Sequence, residues 1–314
     1  MRQAWLRRAS ALAAALVLAA CGGGSDSSGN STVSQSAATA ATQDAGAPQA
    51  SGNTASDGLA WFNYRRQQIG LAPFYRNGVI DAAAQGHSDY QKLNNVITHV
   101  QTPGKPGFTG VQVNDRLVAA GYILPKDDYA FGEVISSTSS TSGFTAAEDL
   151  IAAIYHRFLI LEPMFREAGA GAATVPGGST YFTTNFAVIG LNGGLKSGAV
   201  VSYPYPGQQR VPPNFFSDNE SPDPVPSRNE VGYPISVHGN IVSTLVTTSF
   251  SVRPRGGAPL AVQLLTDAVD SHTPTSAAAI IPLNRLASAT TYDVDFTGSI
   301  DGVPITRSWS FTTQ

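Results

Sequence analysis

Residues 145–171 read TAAEDLIAAIYHRFLILEPMFREAGAG, and the way this stretch folds decides how the rest of the chain is arranged around it. Thr145 and Glu148 have the spacing of a helix N-terminal box, in which a hydroxyl and a carboxylate satisfy backbone N–H groups that the first turn leaves unpaired. Leu150, Ile151, Ile154, Phe158 and Leu161 then recur at helical spacing as one apolar stripe. At about 100° per residue, His156 falls on the side opposite that stripe. The spacing predicts a single helix, stopped near Pro163, with Gly169 and Gly171 letting the chain turn away. His156 is not explained as core by its own helix, so it lies in solvent or points into a groove built by other segments.

Working outward toward the N-terminus, Leu59, Phe62, Arg66 and Ile69 share one face of an expected helix that Gly70 and Pro73 bring to an end. Asn77 has the chemistry to cap a second helix, on which Ile80, Ala83, Ala84, His87 and Gln91 fall in one stripe, so His87 is expected on the buried side. A buried histidine of this kind is either a hydrogen-bonded core residue or a ligand. His99 follows in a loop rich in proline and glycine, and Asn114 is read as the cap of a short helix ended by Gly121. Phe131-Gly132-Glu133-Val134-Ile135 is an apolar run broken by one carboxylate, whose neighbours imply burial with a partner. Tyr181 to Ile189 is rich in aromatic and β-branched residues and reads as a strand.

Taken together, Asn63 with Arg65, Gly70-Leu71, Ala84 with His87-Ser88, Arg116 before Gly121-Tyr122, Gly132-Glu133, His156-Arg157 with Ile160-Leu161, and Gly169-Ala170-Gly171 before Tyr181-Phe182 resemble the CAP superfamily in its bacterial form. That superfamily comprises cysteine-rich secretory proteins, antigen five and pathogenesis-related proteins, and its bacterial members carry SCP-like domains. The resemblance implies an α-β-α sandwich with a central cleft faced by histidines and acidic residues. It assigns His87, Glu133 and His156 to that cleft, while Ala153 stands where a second acidic residue is expected, Val134 follows Glu133 in place of Asn, and Leu150 replaces a common Trp. Two imidazoles and a carboxylate are the ligand set of an open zinc site, so Zn or another divalent metal is one implied cofactor. A structural triad is the other reading of the same three residues. Ser88 beside His87 is no serine-protease pair, because neighbouring helix residues diverge by about 100°. No GxSxG elbow, HExxH helix, P-loop or dinucleotide-binding glycine pattern is present.

The N-terminus has Arg2, Arg7 and Arg8, an apolar run from Ala9 to Ala20, and Leu18-Ala19-Ala20-Cys21. This is the pattern of a secretory signal over residues 1–20, too short to span a bilayer, and the LAAC sequence resembles a lipobox that would leave Cys21 acylated. Cys21 is the only cysteine, so no internal disulfide can form. Cleavage there would lower the basic side chains from 19 to 16 against 22 acidic ones and move the formal charge from -3 to -6. Without a basic patch interleaved with aromatic residues, nothing points to nucleic acid. Residues 21–56 are Gly, Ser, Thr and Ala-rich and read as a flexible tether.

Beyond a CAP-like segment expected over 57–200, proline crowds the chain from Pro204 to Pro226. Short strand-like runs follow at Ile235–His238, Ser243–Arg253, Leu260–Leu265, Ala277–Leu283, Tyr292–Gly298 and Ile305–Phe311. Residues 201–314 therefore read as a Pro-rich linker and a β-sandwich, and Pro282-Leu283, Thr291-Tyr292 and Trp309-Ser310-Phe311 resemble the end of a bacterial immunoglobulin-like domain. His238 and His272 are read as turn or surface residues. The expected class is α+β, a CAP-type α-β-α sandwich followed by an all-β immunoglobulin-like sandwich. The expected protein is extracytoplasmic and lipid-anchored, at the outer membrane or cell surface of a bacterium. There it binds a small amphipathic ligand, peptide, envelope component or divalent metal in the cleft. A metal-dependent hydrolase of peptides or envelope polymers, and a structural or adhesive surface protein with a vestigial cleft, are the two alternatives.

Overall fold

The computed structural model describes residues 46–314. The signal segment, Cys21 and most of the expected tether lie outside the described residues. Helix α1 (Thr54–Gln68) starts a few residues before the expected point, with the Asn53 side chain accepting a hydrogen bond from the Ser56 N–H. It ends as expected: Gly70 adopts φ 80°, and the reversed chain returns the Leu71 N–H to the Arg66 carbonyl at 2.9 Å. After the short strand β1 (Tyr75–Arg76), Asn77 caps α2 (Gly78–Asn94) through the Val79 N–H. Helix α3 (Val113–Ala119) is capped by Gln112 rather than Asn114, because Asp115, three residues into the turn, reaches back to the Gln112 N–H.

Strands β2 (Tyr129–Thr138), β3 (Glu167–Thr174) and β4 (Thr180–Ile189) join β1 in a sheet of order β1-β3-β4-β2, with β4 antiparallel to both neighbours and β1 parallel to β3. The glycines fix what covers each face. Gly169 and Gly171 of β3 lie against the α2 backbone around Asp81 and Gln85, where any Cβ would collide with main chain. Gly132 of β2 faces Leu159 and Phe165 on the opposite side, and Gly58 of α1 lies over the Phe182 ring. Strand residues alternate between faces. Odd-numbered β2 residues, Glu133 among them, therefore look toward α2 and α3, and even-numbered ones toward α1 and the 143–161 helices.

Those helices are two, not one. Helix α4 (Gly143–Ala152) is capped by the Ser142 side chain, and α5 (Ile154–Ile160) begins after Ala153 takes an extended ψ of 117°. The box expected at Thr145 and Glu148 does not form; Glu148 turns inward to Trp61 Nε1 at 2.5 Å and to Arg65. The break is stabilised from outside. Arg157 donates to the Ile151 and Ala152 carbonyls left open at the end of α4, while the Glu220 carboxylate accepts from the N–H groups of Ile154, Tyr155 and His156 at the start of α5.

In the second half, β5 (Val201–Tyr203), β8 (Ile235–His238), β10 (Val262–Thr266) and β11 (Ala277–Pro282) form an antiparallel sheet of order β10-β11-β8-β5. Strands β9 (Leu245–Pro254), β12 (Thr291–Ile300) and β13 (Val303–Thr312) form another of order β13-β12-β9. Along β12, Tyr292, Val294, Phe296 and Ile300 are buried while Asp293, Asp295 and Thr297 alternate outward, the period expected of a sheet with one wet face. All six strand-like runs of the sequence fall on β8 to β13. The proline-rich stretch is not merely a connector: it contains β6 (Asn214–Phe216), which pairs with β7 (Glu230–Gly232) just beyond it. His238 is a buried strand residue hydrogen-bonded to Ser236, contrary to its expected surface position, whereas His272 is exposed in a turn.

One apolar core runs through both halves, from Ala55 and Trp61 to Trp309 and Phe311. The Arg157 guanidinium crosses the seam, lying 4.9 Å from the rings of both Tyr203 and Tyr233 and donating to the Pro234 carbonyl. Buried Glu162 accepts from the Ile241 N–H, also across the seam.

Candidate functional site

Glu133 sits in the middle of β2 on the α2 face, 3% exposed, and three other segments converge on it. Arg116 of α3 places Nη2 at 2.8 Å from both carboxylate oxygens, and His99 from the loop after α2 donates Nδ1–H to Oε1 at 2.9 Å. Arg116 Nη1 meanwhile donates to the His99 carbonyl, so each partner of Glu133 also holds the other. His87 of α2 is near, with Nε2 at 3.8 Å from Oε1, but both its ring nitrogens are committed elsewhere: Nε2 to the Thr98 carbonyl at 2.7 Å and Nδ1 to the Gln101 amide at 2.9 Å.

The electrostatics follow from these contacts. Burial raises the Glu133 carboxyl, yet the charges of His87, Arg116 and His99 overcome it and hold the group down at about 2. Burial outweighs the pull of Glu133 on His87, whose pKa drops to about 4, so above that pH the permanent cation opposite Glu133 is Arg116. Glu133 is thus a saturated anion. It has no lone pair facing solvent, and a carboxylate this acidic is a poor general base near neutral pH.

The three residues assigned to one cleft are split by the sheet. His87 and Glu133 share the α2 face, whereas His156 belongs to α5, which packs on the other face. There its Nδ1 donates to Glu220 at 3.1 Å, and the pair is buried. The break at Ala153 and the carboxylate at the start of α5 fix this position. His99 and Arg116, read from the sequence as a loop residue and a helix anchor, are the true neighbours of Glu133. The signal that could have found His99 is its setting in Val96-Ile97-Thr98-His99-Val100-Gln101, where alternate residues turn inward. A zinc ion does not fit this donor set. Both Glu133 oxygens face a guanidinium, both His87 nitrogens are used, and His99 Nε2, buried without a hydrogen-bond partner among the described residues, is one nitrogen where an open site needs about three protein ligands. Among the described residues no group of three His, Cys, Asp or Glu side chains is arranged to hold a metal ion.

Ser88 is fully buried, its hydroxyl within hydrogen-bond distance of the Gly171 carbonyl and the Thr183 hydroxyl. Asn185, paired with Glu133 across β2 and β4, is fully buried, with both amide atoms unpartnered among the described residues.

Among solved structures, an extracellular protein containing an SCP domain from Bacillus anthracis str. Ames is similar at 22% identity and a TM-score of 0.36, over 42% of this chain and 39% of that one. An outer surface protein from Borrelia burgdorferi is similar at 12% identity and a TM-score of 0.34, over 41% of this chain and 87% of that one. This chain therefore spans well under half the length of the Bacillus protein. No curated protein matches it. Residues 59–186, from within α1 to within β4, match the model of the cysteine-rich secretory protein family, CAP.

Proposed function

We propose that this chain is an extracytoplasmic binding protein, attached to the cell envelope through an acylated Cys21, whose CAP domain binds an envelope component and does not hydrolyse one. The observation that carries the reading is the saturation of both candidate carboxylates. Glu133 is held by Arg116 and His99, and Glu220 by three backbone N–H groups and His156. Neither can take a proton from water near neutral pH without breaking its own charge-assisted bonds. What this network does supply is rigidity: it clamps the His99 loop to the sheet and so fixes the outer surface of that loop. Extracytoplasmic placement rests on the basic and apolar start of the sequence and on the CAP match.

The test combines turnover and calorimetry on the full chain. Incubation with peptidoglycan fragments and a peptide library, with and without a chelator, is expected to give no product. Zinc titration is expected to give the same heat for the native chain and for Glu133→Gln. Chelator-sensitive turnover that Glu133→Gln abolishes would overturn the proposal in favour of the hydrolase.

A further inference from the structure

We draw no further inference here: the strongest candidate, the cluster of buried polar atoms between α2 and the sheet, where both amide atoms of Asn185 and Nε2 of His99 lack a hydrogen-bond partner among the described residues, belongs to the Glu133 site already described, and no contact joins these atoms around one ligand.

Discussion

Two histidine–carboxylate pairs, Glu133 with His99 and Glu220 with His156, sit on opposite sides of one sheet and are held together by different physics. The first is balanced by the full charge of Arg116, with all its members between α2 and β2. The second is held by backbone N–H groups and their dipoles at the start of α5, with its carboxylate supplied from beyond the seam. An ion pair inside one domain makes that domain self-sufficient. A carboxylate borrowed from the second half ties the first half to it, alongside an apolar core that is continuous across the chain.

The largest expected effect comes from breaking the balanced pair. Arg116→Met leaves Glu133 buried without its cation and should cost about 3–5 kcal/mol in urea unfolding. Glu220→Ala removes its hydrogen bonds from three backbone N–H groups and from His156, and about 1–3 kcal/mol is expected. Equal losses would mean that the backbone dipoles of α5 are as demanding a partner as a guanidinium, and the distinction between the two pairs would fail.

Next in size is an opposed pair of pH effects, one from each region. His87, which burial lowers to about 4, and His238 at the seam, which burial lowers to about 3, bind fewer protons folded than unfolded. Their contribution is present above the usual value of 6.5 and is lost as pH falls toward those folded values, with Glu133 adding its own loss between 4.5 and about 2. Glu162, which burial raises from 4.5 to about 8, has the opposite sign: its contribution is complete below 4.5 and is lost as pH rises through 8. Glu162→Gln should therefore flatten the alkaline arm of a stability–pH profile and leave the acid arm intact. An unchanged alkaline arm would remove Glu162 as its source.

The difference between the regions also explains what the sequence could convey. Capping at Asn77, the stop at Gly70, burial of His87 and all six strand runs of the second half follow from local spacing and turn chemistry, and each is where those rules put it. Ala153 carries no helix-breaking chemistry of its own; the break is imposed by Glu220, more than sixty residues away and embedded among prolines that read as a linker. His99 was harder to find because the inward alternation around it, Ile97, His99 and Gln101, is short and runs into a proline- and glycine-rich loop. Glu133 and Gly132, by contrast, already implied by parity that one looks toward each face of the sheet. What remained illegible was which helix covered which face, and the glycine contacts of β3 with α2 decide it.

That assignment of faces has its own test, smaller in energy and more specific than the others. His99 and Arg116 share Glu133 and touch each other, so combining His99→Ala with Arg116→Met should depart from additivity by about 0.5–3 kcal/mol. His156 lies across the sheet from Arg116 and is hydrogen-bonded to Glu220. His156→Ala combined with Arg116→Met should be additive to within about 0.5 kcal/mol. If instead the second cycle couples as strongly as the first, His156 and Glu133 share a site after all. The single cleft implied by the family resemblance would then be restored, and with it the case for a shared metal ion.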